Sequence, residues 1–298
     1  MRAGVNALTA TFVVGVLAGL LLTPDGREWL RHPTVMLGGQ ANASASPPGG
    51  PAPVAPVVAP APPVAAVTPL SARLAQGPLR IGVFGDSMAD GLYAGLYRDL
   101  RDLPKVTVTK FSEVSTGLSR YDYVDIQAKT GRQIAETPID VAVILFGTND
   151  AQGISLDGAI HDFGTDGWKA AYGRRIDDLV AMLRSRDVAV YWVGLPRMKS
   201  GRFDGRMSLI NGVVEARMRA LGVPYLETVD LTSNEEGGYE AYLPNKAGRR
   251  TLIRANDGIH MSMAGYLRIS APVAERLKRD AGLDQPAAVT APSPPAAG

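Results

Sequence analysis

Two runs of the chain are apolar almost without interruption, Val141–Phe146 (VAVILF) and Val188–Val193 (VAVYWV). A strand with one face in water alternates apolar and polar residues, whereas a strand covered on both faces does not. The two runs therefore predict parallel strands buried between layers of helix. Leu79–Phe84, Val106–Phe111 and Pro224–Val229 fit as three further strands. Tyr172, Ile176, Leu179 and Leu183 recur at helical spacing between the two long runs. Met207, Ile210, Val214, Met218 and Leu221 mark another helix, with Gly222 placed as its left-handed C-cap. A last helix follows Gly265, and Pro272 predicts a kink in it or a restart with Ser270 as cap. Strands alternating with helices predict a doubly wound α/β sheet.

The ends of the chain differ in kind from this middle. Residues 3 to 24 carry no formal charge, and Ala7–Leu22 (ALTATFVVGVLAGLLL) is strongly apolar. About 20 such residues span a bilayer, so residues 1–40 read as an uncleaved membrane anchor and its flank. A cleaved signal peptide is the competing reading, but Thr23-Pro24-Asp25 follows the run where a small-x-small site belongs. Residues 41–76 read as a Pro/Ala-rich linker, since proline at that density suits extended polyproline segments better than helices or central strands. At about 3.1 Å per residue its Pro-rich part reaches on the order of 80–90 Å. Residues 77–283 form the predicted folded domain, and residues 284–298 a disordered tail of similar composition. The expected location is extracytoplasmic, with the membrane as a partner through the N-terminal helix.

Composition excludes several kinds of chemistry. A net charge of +2 offers no argument for a nucleic-acid partner. The absence of cysteine removes disulfides, thiolate nucleophiles and zinc–thiolate sites. The 3 histidines are His32, His161 and His260, and the first lies outside the predicted domain. A metal site of two or three histidines is thus nearly excluded, and neither metal nor cofactor is expected.

In open α/β sheets ligands bind beyond the carboxyl ends of the strands. The polar clusters that follow the predicted strands are Gly85-Asp86-Ser87, Ser115-Thr116-Gly117, Gly147-Thr148-Asn149-Asp150 and Asn256-Asp257-Gly258-Ile259-His260. Together they supply what acyl transfer needs. Ser87 is a nucleophile whose proton His260 can take, and Asp257, three residues earlier, can fix the imidazole tautomer. The backbone N–H groups of Ser87 and Gly117 and the side-chain amide of Asn149 are candidate oxyanion donors. Asp86 and Asp150 fit capping or supporting roles better than catalysis. His161, beside Asp162 in the predicted loop Ala151–Thr165, reads as a loop residue or a second acid/base. The segment Asn234–Arg254 predicts a hairpin, and Tyr239 and Tyr242, with Tyr225 before it, suit either stacking on a sugar or packing.

These clusters resemble the four blocks of the SGNH (GDSL) hydrolase superfamily: GDS at Ser87, a glycine at Gly117, GTND at Asn149 and DGIH at Asp257 and His260. STGLSRYDYVD, YWVGLP and DGIHMS further resemble a membrane-anchored or periplasmic bacterial branch of unassigned function. Met88 stands where the GDSL pattern has leucine. The resemblance implies a flavodoxin-like three-layer α/β/α fold with a five-stranded parallel sheet, a Ser-His-Asp esterase and no metal. Members act on acetylated sugars, lipids and small acyl esters. It therefore implies a serine esterase acting on O-acyl, above all O-acetyl, esters of an envelope polysaccharide or peptidoglycan. An O-acyltransferase, a lipase-type esterase and a catalytically silent envelope-binding domain are the alternatives.

Overall fold

The chain is seen in a computed structural model that describes residues 66–284. The expected anchor at 1–40, the linker up to residue 65 and the tail from 285 lie outside the described residues. The end of the expected linker is instead a helix, α1 (Leu70–Gln76), with Leu70 buried. One buried leucine and an arginine with carboxylate partners suffice to dock it, and composition averaged over the Pro-rich stretch conceals both.

The predicted strands form one sheet. Its members are β1 (Leu79–Gly85), β2 (Val106–Lys110), β3 (Val141–Leu145), β6 (Ala189–Val193) and β7 (Tyr225–Leu226), in the order β2-β1-β3-β6-β7. All neighbours are parallel, with Ile81 opposite Val141 and Val141 opposite Ala189. Every residue of β3 and β6 is buried, as their unbroken apolar runs require. β7 is shorter than its run because its continuation turns away from the ladder. The Thr228 hydroxyl donates to the Gly194 carbonyl at 2.8 Å, and the Glu227 carboxylate accepts from the N–H groups of Val229 and Asp230. Between β3 and β6 the predicted loop holds a small hairpin, β4 (Ile154–Leu156) with β5 (Ala159–His161). A second hairpin, β8 (Tyr242–Pro244) with β9 (Arg250–Leu252), forms inside the segment where one is expected.

The helices cover the sheet in two groups. α1 and α2 (Ser87–Leu100) pack with α6 (Met263–Ala281), and α4 (Asp166–Arg184) packs with α3 (Ile126–Glu136) and α5 (Gly201–Leu221). The helical repeats read from the sequence face inward: Tyr172, Ile176, Leu179 and Leu183 of α4 are buried, as are Met207, Ile210, Val214, Met218 and Leu221 of α5. Gly222 ends α5 in the left-handed conformation, at φ 60°. Pro272 does not restart the last helix. α6 runs unbroken from its cap Ser262, and Ser270 instead donates to Asp99 of α2 at 2.6 Å. The proline removes one backbone donor, but Tyr266, Ile269, Val273 and Leu277 bury a continuous stripe around it. That stripe outweighs the lost bond.

Candidate active site

β1 and β3 are neighbours, but the chain leaves β1 for β2 on one side before crossing to β3 on the other. A crevice opens at such a reversal of strand order. Gly85, at the end of β1, has φ 150°, and a Cβ there would lie 2.0 Å from the Leu145 carbonyl oxygen. Only glycine permits that turn. It delivers Asp86 as the N-cap of α2 and Ser87 as its first residue.

The Ser87 Oγ lies 2.7 Å from His260 Nε2, across 173 residues of sequence. The other ring nitrogen, Nδ1, lies 2.6 Å from Asp257 Oδ2. The second carboxylate oxygen of Asp257 accepts from the N–H groups of Ile259 and His260, each at 2.9 Å. Partial burial alone would raise this carboxyl. The hydrogen bonds from the His260 ring and the two N–H groups overcome that and hold it at about 2. An ionised carboxylate only accepts, so Nδ1 carries the proton and Nε2 is left to accept from Ser87.

The turn that presents the pair is built on Arg254. Arg254 and Met261 form an antiparallel bridge, and the Ala255 N–H donates to the His260 carbonyl at 2.9 Å. The fully buried Arg254 guanidinium lies 5.2 Å from the centre of the Tyr239 ring. Its Nη2 donates to the carbonyls of Ile259 at 2.9 Å and Gly258 at 3.3 Å. Tyr239 thus packs on this arginine, while Tyr225 belongs to β7 and Tyr242 is half exposed.

The other two blocks converge on Asp86 and Asp150, both fully buried. Asp86 Oδ1 accepts from the Met88 N–H, closing the cap of α2. Its Oδ2 accepts from the N–H groups of Gly147 and Thr148 at 3.2 and 3.0 Å and from the Thr148 hydroxyl at 2.7 Å. The serine's helix is thereby tied to the loop that carries Asn149. Burial pushes the Asp86 carboxyl up to about 6 against these donors. Asn149 Nδ2 donates to the Thr116 carbonyl at 2.9 Å. An amide nitrogen has two hydrogens, so one remains for a ligand. Among the described residues the backbone N–H groups of Ser87 and Gly117 have no acceptor either. A Cβ at Gly117 would lie 2.3 Å from Asp150 Oδ1, so the contact with that carboxylate requires glycine here.

The sequence model of a family described as "Protein of unknown function (DUF459)" matches residues 80–276. The chain belongs to this family. No curated protein matches its sequence. Among solved structures it is similar to an alpha/beta hydrolase enzyme from the metagenome of Lake Arreo, Spain (16% identity, 70% of this chain and 98% of that one, TM-score 0.48). It is also similar to a member of the lipolytic protein G-D-S-L family from Veillonella parvula (15% identity, 67% and 99%, TM-score 0.47). A third is a GDSL-like lipase from Bacteroides thetaiotaomicron (13% identity, 67% and 88%, TM-score 0.46).

In this DUF459 member the candidates named from sequence fall into two groups. Ser87, His260 and Asp257 form one hydrogen-bonded line, and Gly117 and Asn149 meet through Thr116 and Asp150. His161 stands apart: it pairs with Ile154 in the β4–β5 hairpin and lies against Gly167 at the start of α4. Among the described residues no cluster of His, Asp or Glu has the makings of a metal site. Sequence reasoning missed Thr148, Ser119 and Arg254. Thr148 stood in plain view between Gly147 and Asn149, but nothing in the sequence separates a buried Arg254 from the other basic residues.

Proposed function

We propose that the chain is a serine esterase that removes O-acetyl groups from an envelope polysaccharide or peptidoglycan. The observation that carries the chemistry is the line Ser87 Oγ–His260 Nε2–Nδ1–Asp257 Oδ2, with steps of 2.7 and 2.6 Å. Ser87 attacks the ester carbonyl while His260 Nε2 takes its proton. The oxyanion is met by the N–H groups of Ser87 and Gly117 and the free hydrogen of Asn149 Nδ2. Collapse of the tetrahedral intermediate breaks the bond to the sugar oxygen, which leaves with the proton from His260. Water, deprotonated by the same nitrogen, then hydrolyses the acyl-Ser87 to acetate and free serine.

The envelope location is supported by the apolar run at residues 7–22 and the Pro-rich stretch after it. The path of the chain into the domain agrees with it. Arg73 of α1 pairs with Asp140 and Asp187, and Arg80 with Asp140, all at the amino ends of β1, β3 and β6. The described chain thus enters the domain at the pole opposite the serine.

The test is acetate release from acetylated envelope polymers and from 4-nitrophenyl acetate by the full-length chain, with and without a sugar acceptor. The wild-type protein is expected to release acetate and Ser87→Ala to release none. Equal release by both overturns the mechanism, and acetyl transfer to the acceptor in place of hydrolysis makes the enzyme an acyltransferase. Cleavage of the domain by protease from the cytoplasmic side of intact cells overturns the location.

A further inference from the structure

Three side chains of α4, Trp168, Tyr172 and Arg175, stand at spacings of four and three residues and so share one face. All three are buried, and each reaches the loops of the candidate oxyanion hole. The Trp168 Nε1 donates to the Gln152 carbonyl at 2.7 Å, and the Gln152 side chain donates to the Asn149 carbonyl at 2.6 Å. The Tyr172 hydroxyl donates to Asp150 Oδ2 at 2.8 Å. The other oxygen of that carboxylate accepts from the Ser119 N–H at 2.7 Å and the Ser119 hydroxyl at 2.9 Å, and fills the space beside Gly117. Arg175 donates to the carbonyl of Leu118, between Gly117 and Ser119. One helix face therefore holds both loops from behind.

We propose that Tyr172 is a positioning residue for the oxyanion hole, acting through Asp150 on the Gly117 loop, with Trp168 and Arg175 bracing the same two loops. The proposal rests on the esterase reading above. Oxyanion donors accelerate a reaction because they are already aimed when charge develops, so small displacements of the Gly117 N–H are felt in the transition state and not in the ground state. Asp150 can hold that N–H in place only while it is itself held. Tyr172 supplies the donor from the side opposite Ser119. Burial and the Asp150 charge push the tyrosine hydroxyl well above its ordinary value, so it stays a donor throughout the working pH range. The ring is fixed independently of its hydroxyl: it stacks on Trp168 with centroids 4.6 Å apart and planes 11° from parallel. Removing the hydroxyl alone is therefore a clean perturbation.

The experiment compares wild type and Tyr172→Phe in the full-length chain, with 4-nitrophenyl acetate as substrate and active sites counted by fluorophosphonate labelling of Ser87. The expected result is a fall in kcat per labelled site of about ten- to a hundredfold, less than the loss of a donor outright, with KM changed less than about twofold. The inhibition constant of phenylboronic acid, which forms a tetrahedral adduct on the serine, should rise in step with the loss in kcat. Fewer labelled sites or a lower melting temperature, with kcat per site and the boronate constant unchanged, overturns the proposal. So does a change in KM alone. Should Tyr172→Phe fail to fold, Ser119→Ala removes a donor from the other oxygen of Asp150 and must show the same pairing of kcat and boronate affinity. A wild-type chain that neither hydrolyses the ester nor labels at Ser87 removes the esterase reading and this proposal together. An active wild type beside an unaltered Tyr172→Phe variant removes this proposal alone.

Discussion

Asp86 and Asp150 lie fully buried and bind residues 31 to 62 positions away, through Ser119 in one case and Gly147 and Thr148 in the other. Asp257 binds His260 only three residues on, and the two side chains keep 46% and 37% of their surface exposed. The same carboxylate chemistry is thus used in opposite ways on the two sides of Ser87. On the buried side the acids hold separate loops together, so the geometry of the oxyanion donors and the stability of the domain rest on the same bonds. On the exposed side a short turn, seated on Arg254, makes its own internal bonds and needs little from the rest of the fold. Damage to the first half should therefore cost both folding and rate, and damage to the second should cost mainly rate.

The largest expected effect tests the exposed side. Asp257→Asn keeps the shape of the turn but favours the wrong imidazole tautomer, and kcat should fall by about 10⁴. In a urea titration at neutral pH the unfolding free energy should fall by less than at Asp150, by no more than the ionised carboxylate contributes through its lowered pKa. A large loss of stability would break the contrast. On the buried side, Asp150→Ala leaves the Ser119 N–H, the Ser119 hydroxyl and the Tyr172 hydroxyl without their acceptor. At about 1–3 kcal/mol for each buried unsatisfied group, stability should fall by about 3 kcal/mol or more, visible as a lower urea midpoint. Asn149→Ala removes a donor at the edge of that network. It should lower kcat by roughly 10²–10³ with KM little changed, and a pure KM effect would take Asn149 out of the oxyanion hole.

The smallest effect is a difference in pH dependence between the halves. The folded value of about 6 for Asp86 lies above the ordinary 3.8. Between about pH 4 and 6 the native state keeps a proton that the unfolded chain has released, so the stability this group contributes is lost as pH rises through that window. Asp257, held at about 2, behaves in the reverse sense. The unfolded chain takes up its proton first, and stability is lost as pH falls from about 4 towards 2. Urea titrations across these ranges should show the upper slope become shallower in Asp86→Asn, where buried Asp150 still contributes in the same sense, and the lower slope flatten in Asp257→Asn. An upper slope unchanged in Asp86→Asn would assign it to another group.

Much of the fold was legible because burial leaves a record in single segments. Both unbroken apolar runs became central strands, and the repeats of α4 and α5 turned their apolar faces inward. The exceptions are instructive. α1 was hidden because a single buried leucine carries no periodicity, and α6 passed through Pro272 because packing against α2 offset a local preference. At the site, Asp257 and His260 were readable as a pair because three residues in a turn bring them together by themselves. Gly117 is legible as a candidate oxyanion donor, but that Asp150 fills the space beside it is not. The sequence shows Tyr172 only as core, since helical spacing says that a side chain is buried and not what its hydroxyl meets.

Sequence alone therefore determined the buried strands, the cap at Asp86, the left-handed stop at Gly222 and the Asp257–His260 turn. Each is set by interactions within a few residues. Only the tertiary structure decided that Ser87 meets His260, that Asp150 takes the space beside Gly117, and that one face of α4 stands behind both oxyanion loops. Those partners lie tens to hundreds of residues apart, and pattern records how deeply a side chain is buried but not which distant group it is buried against.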